Sequence, residues 1–100
     1  MVRHIVSWNF KPEVSPEKRR EVGELLTRRM KALEGLIPCV QKVDFFAPPV
    51  GLSNCDLAMY SEVDCEENLP VYRDHPEHQA VVKIIHEYCC ERRCTDLPAL

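Results

Sequence analysis

The order of secondary-structure signals along the chain predicts an α+β protein, with one antiparallel sheet and its helices on one face. Three observations carry this. Two stretches, VRHIVSWNF (2–10) and DLAMYSEV (56–63), alternate in hydropathy with a period of two, as half-buried strands do. Two others, 16–34 and 76–90, space their apolar residues three and four apart, as amphipathic helices do. At 100 residues, 45% hydrophobic and 29% charged, the chain suits a single domain, 1–100, with one modest core.

The first strand puts Val2, His4, Val6, Trp8 and Phe10 on one face and Arg3, Ile5, Ser7 and Asn9 on the other. Lys11-Pro12-Glu13 ends it. Ser15 then caps a helix with Pro16 in its first position. Val22, Leu25, Leu26, Met30 and Leu33 form its apolar stripe to Glu34, and Gly35 is the expected C-cap. The basic run Lys18-Arg19-Arg20 and the pair Arg28-Arg29 are expected on its wet face.

Val40 to Ala47 reads as a second strand, residues 48–54 as a Pro- and Gly-containing loop, and Asp56 to Val63 as a third strand. Asp64 is expected to cap a short helix that Pro70 disturbs and that ends near Asp74. Another helix starts at Pro76, capped by His75 or Asp74, and runs to about Cys90; Arg92 to Leu97 is a last short strand. The resulting order, β-α-β-β-α-β, suits the ferredoxin-like split βαβ arrangement. Its second sheet face must be covered. Ile5, with Phe45 or Phe46, supplies apolar material there, so a homodimer is expected.

The charge balance, 13 basic against 16 acidic residues, gives no footprint for nucleic acid or an anionic membrane. No apolar run is long enough to span a bilayer, and the N-terminal residues do not read as an export signal. The expected location is therefore the cytoplasm, with most of the six cysteines as reduced thiols.

The stretch VYRDHPEHQAVVKIIHEYC (71–89) carries the chemistry. His78 lies in the first turn of the last helix, on a stripe continued by Val82, Ile85 and Cys89, so it points toward the sheet. Burial and the positive helix N-terminus both favour neutral imidazole, the form that accepts a proton. Tyr72, just upstream, can donate a hydrogen bond to a developing oxyanion. His4 faces the same space from the first strand, and Trp8 and Val82 are expected to line the substrate pocket with it. His75 is given a structural, capping role. His75 with His78, three residues apart, and His86, Cys89 and Cys90 on one helical face with Cys94 beyond, are spaced as metal ligands could be; no CxxC pair occurs, and no metal or cofactor is expected.

RHIVSWNFK (3–11), GLIPCV (35–40), DLAMYSEVD (56–64) and YRDHPEHQAVVKII (72–85) together resemble the stress-responsive A/B barrel, or Dabb, domain family across nearly the whole chain. The resemblance implies a homodimer whose two sheets close into an α/β barrel. Olivetolic acid cyclase-type plant members of that family close a linear polyketide by aldol condensation without a metal. By resemblance, His78 would be the base, Tyr72 the residue holding the substrate carbonyl, His4 a pocket residue and His75 structural. Cys39 stands where the family often has glycine, and Pro70 falls in a helix that is usually regular.

Two functions follow. One is an enzyme acting on a small carbonyl compound by acid–base chemistry. The other is a non-catalytic dimeric barrel that binds a small ligand or ion or serves as a stable scaffold. A cofactor-free oxygenase or haem-degrading reading is weakened by Trp8 and Asn9, which as strand neighbours face opposite sides.

Overall fold

The computed structural model describes residues 1–99, so Leu100, the last residue of the expected domain, lies outside the described residues. Its elements are β1 (Val2–Phe10), α1 (Pro16–Lys31), a short α2 (Leu33–Leu36), β2 (Val40–Phe46), β3 (Leu57–Val63), α3 (Leu69–Asp74), α4 (Pro76–Tyr88) and β4 (Cys89–Pro98). A 3-10 turn at Glu66–Asn68 precedes α3. The four strands form one antiparallel sheet in the order β2-β3-β1-β4, the ferredoxin-like arrangement.

The period-two pattern of β1 maps directly onto the sheet. Val2, His4, Val6, Trp8 and Phe10 are buried against the helices. From β3, Leu57, Met59, Ser61 and Val63 face the same way, and Val43 and Phe45 join them from β2. Phe45 therefore belongs to the core, in contact with Trp8 at a ring separation of 5.9 Å. Phe46, 48% exposed, and Ile5, 36% exposed, are the large exposed apolar side chains of the strands on the opposite face.

Ser15 caps α1 as its sequence position requires: its hydroxyl accepts from the Lys18 N–H. Val22, Leu26 and Met30, one turn apart, are buried. A side chain on Gly23 would meet the Ala47 Cβ at 3.1 Å, so glycine lets α1 approach the end of β2. Arg19 departs from the expected wet face. Its guanidinium donates to the Val14 and Lys11 carbonyls and lies over the Phe10 ring, tying the β1–α1 connection to the core.

Four boundaries differ from the sequence expectation. The first helix stops at Lys31, and Gly35 lies inside α2 rather than capping α1. The break lets Leu33 and Ile37 both enter the core, while Glu34 turns back to accept the Val43 N–H. Asp64 caps nothing; it bonds the Asn68 side chain, and Cys65 occupies the cap position. Pro70 falls in the first turn of α3, where its missing N–H costs no helical bond, so it starts that helix instead of interrupting it. α4 ends at Tyr88 because Cys89 and Cys90 pair with Phe10 and Asn9 of β1. Those two cysteines are strand residues, and the expected helical grouping of His86, Cys89 and Cys90 does not form.

β4 contains a further irregularity. Phe10 and Asn9 pair with Cys89 and Cys90, but Ser7 pairs with Arg93, so one extra residue is accommodated between them. Glu91 sits there in the left-handed region, at φ 54°. Such a bulge reverses which residues of the strand face inward beyond it. Arg92, Cys94 and Asp96 consequently lie on the helix side of the sheet, opposite Trp8, Val6 and His4.

Candidate active site in the sheet–helix cavity

The β1–β4 half of the sheet and the α3–α4 corner enclose a cavity of about 400 Å³. That is within the usual range for a small-molecule pocket. Its walls include His4, Trp8, Tyr72, His78 and Val82, all five of the expected pocket and chemical residues.

Tyr72 is the deepest of these, 2% exposed near the end of α3. Its ring meets His4 edge-on at 5.7 Å and lies 4.3 Å from the His78 ring at a 38° tilt. Its hydroxyl approaches the Met59 sulfur at 3.8 Å. Burial pushes the phenol well above its ordinary pKa, and hydrogen bonding with the buried Ser61 hydroxyl offsets only part of this. Tyr72 is therefore a proton and hydrogen-bond donor, not a phenolate.

α4 starts where His75 takes an extended conformation before Pro76. His75 Nδ1 accepts the Glu77 N–H at 3.1 Å, a side-chain N-cap. His78 is half-buried, and its Nδ1 lies 2.9 Å from the Arg73 carbonyl. A carbonyl only accepts, so Nδ1 carries the proton and Nε2 is the basic nitrogen of the neutral ring. Burial lowers the His78 pKa most; the bond to Arg73 opposes the shift, and His4 and Arg92 add to it. The fully buried line of α4 is Val81 and Ile85, whereas His78 and Val82 run along its edge. They are half-buried because they line the void between α4 and the sheet.

His4, 8% exposed, bonds through Nδ1 to the Asp96 carboxylate directly across the β1–β4 ladder. Asp96 and Arg92 line the cavity without standing out in the sequence, and Cys94 lines it as a strand residue rather than as an extension of a helical His86, Cys89 and Cys90 group. Their alternation was legible as a strand; the side they face depends on the Glu91 bulge. Cys89 and Cys39 are buried thiols whose pKa values are raised first by burial, Cys89 to about 11. All six cysteines are free. Among the described residues no helix is long and apolar enough to cross a membrane.

This arrangement can bind a compact guest among apolar side chains and present it with one base and one donor. A dimeric Bacteroides fragilis protein of unknown function and ferredoxin-like fold is 28% identical. The match covers 98% of this chain and 95% of that one, with a TM-score of 0.90. A dimeric ferredoxin-like protein of unknown function from Thermobifida fusca is 25% identical, covering 98% and 90%, with a TM-score of 0.81. An antibiotic biosynthesis monooxygenase is 17% identical over 100% and 99% with a TM-score of 0.75, a likeness of fold alone. No functionally curated protein matches the chain. The pattern of the stress responsive A/B barrel domain matches residues 2–99, and the chain belongs to that family.

Proposed function

We propose that this protein is a homodimeric barrel that performs acid–base chemistry on a small carbonyl compound in the sheet–helix cavity. The reaction is of the cyclase or lyase type found in olivetolic acid cyclase-type family members. The observation that carries the reading is the pairing of Tyr72 and His78, rings 4.3 Å apart, on the wall of one cavity. His78 Nε2 takes a proton from the carbon next to a carbonyl. The Tyr72 hydroxyl donates to the enolate oxygen that forms. For an intramolecular aldol closure, that carbon then bonds to a second carbonyl, and the new alkoxide recovers the proton from the imidazolium. His4, Trp8 and Val82 bound the guest, and His75 acts only as a helix cap.

The dimer is part of the proposal: Ile5 and Phe46 leave an apolar face uncovered, and the Bacteroides and Thermobifida relatives are dimers. A cytoplasmic location is likewise proposed. The test of function is turnover of small linear β-polyketo acids, followed by loss of starting ketone and appearance of ring product. Activity lost in His78→Ala with the fold kept supports the reading; cyclisation unchanged by that substitution refutes it.

One observation favours the non-catalytic alternative. Tyr72 is as buried as the aliphatic core, so the three rings also serve as packing. In that case His78→Ala lowers the melting temperature and no substrate of this class is turned over.

A further inference from the structure

The inner face of the β1–β4 edge holds three metal-ligating side chains that the acid–base reading does not use together. We infer that His4 Nδ1, Cys94 Sγ and an Asp96 carboxylate oxygen form a site for a divalent transition cation of the zinc type.

The backbone sets the spacing. His4 and Asp96 are directly paired across the ladder, and Cys94 precedes Asp96 by two residues on the same face. The sulfur lies 3.8 Å from His4 Nδ1 and 3.9 Å from Asp96 Oδ2. The ligand atoms of all three residues lie within 4.8 Å of one another. Ordinary zinc bond lengths in a tetrahedron require edges of about 3.6 Å from sulfur to nitrogen or oxygen, and about 3.4 Å from nitrogen to oxygen. The sulfur-to-Nδ1 edge, and the sulfur-to-oxygen edge taken to Oδ2, are thus already nearly right. The other carboxylate oxygen, Oδ1, is hydrogen-bonded to His4 Nδ1 at 2.5 Å, so a metal enters only when the carboxylate rotates and that bond gives way. The Asp96 side chain is 40% exposed and can make that rotation.

The chemistry of the donors agrees. A thiol and a carboxylate, both ionised, bring two negative charges, and imidazole brings a neutral nitrogen, a set that balances a dication. The thiolate selects zinc or cobalt over magnesium or calcium. His4 is buried and its ring is fixed edge-on against Tyr72, so one ligand is preorganised. The three protein ligands leave a fourth position open, the pattern of zinc sites that also take water or a substrate atom. Arg92 lines the same cavity, but it is exposed, and water and salt screen its repulsion of a cation.

The test is titration of the reduced, chelator-treated full chain with cobalt(II), read by the thiolate-to-cobalt charge-transfer band in the near ultraviolet. One cobalt per protomer is expected, displaced by zinc. Cys94→Ser should abolish the band, Asp96→Asn should weaken binding at least ~10-fold, and Cys89→Ser/Cys90→Ser should retain it. Cys94 is exposed, so its serine variant should keep the far-ultraviolet circular dichroism of the parent. Absence of the band in the parent, its persistence in Cys94→Ser, or its loss in Cys89→Ser/Cys90→Ser with the parent's far-ultraviolet circular dichroism retained overturns the assignment.

Discussion

Tyr72→Phe removes one oxygen from a side chain that is 2% exposed and leaves its ring in place between His4 and His78. Within the fold the hydroxyl has only a long contact to the Met59 sulfur and the neighbouring Ser61 hydroxyl. Losing one neutral hydrogen bond of that kind costs about 0.5–1.5 kcal/mol. For a domain of this size each kcal/mol is about 4–8 °C in melting temperature, so the expected drop is roughly 2–12 °C. Tyr72→Ala also removes the ring, at about 3–5 kcal/mol for a large buried aromatic, and should lower the midpoint by more than ~12 °C. Catalysis should respond in a different proportion. Removing an oxyanion donor costs about 100- to 1000-fold in turnover, so Tyr72→Phe should be folded and nearly inactive on a cyclising β-polyketo acid. Thermal unfolding by circular dichroism and product formation by chromatography, on the same two variants, provide both readings. Turnover within about twofold of the parent in Tyr72→Phe would show that the phenol does not stabilise the oxyanion. A melting loss equal to that of Tyr72→Ala would show that the hydroxyl is a structural anchor.

Burial lowers the His78 pKa, so its NMR titration midpoint should fall below the ordinary value of about 6.5, and the acid limb of kcat/KM should follow it. The unfolded chain takes up that proton first, so the stability His78 contributes is present above about pH 6.5 and declines as pH falls toward the folded pKa; a midpoint above 6.5 contradicts the assignment. Because the Tyr72 phenol is pushed up, no alkaline limb from that residue should interrupt the rate profile in the ordinary working range. Ile5→Glu with Phe46→Glu places charge on the uncovered sheet face and should convert a dimer to a monomer in sedimentation velocity; an unchanged sedimentation coefficient would move the interface elsewhere. Ser15→Ala removes the acceptor for the Lys18 N–H and should cost about 1 kcal/mol, some 4–8 °C in melting temperature, with no change in turnover.

The sequence alone determined the strand and helix order, because each signal behind it is local. Period two in β1 and β3, the Ser15-Pro16 helix start and the His75-Pro76 bend depend on neighbours a few residues away. It also placed His4 and His78 on inward faces, since strand alternation and helical spacing fix direction from sequence distance. The bend at Asp74-His75-Pro76 already brought Tyr72 and His78 toward one cavity mouth, and the family likeness pointed to the same two residues. Tertiary structure decided what depends on registry between distant segments. The break after Lys31 follows from burying Leu33 and Ile37 together. The early end of α4 follows from Cys89 and Cys90 pairing with β1. Above all, the bulge at Glu91 turns Arg92, Cys94 and Asp96 inward and brings Asp96 to His4, 92 residues away in sequence. One inserted residue reverses the facing of every residue beyond it, and alternation within the strand alone cannot reveal on which side of the sheet that strand begins.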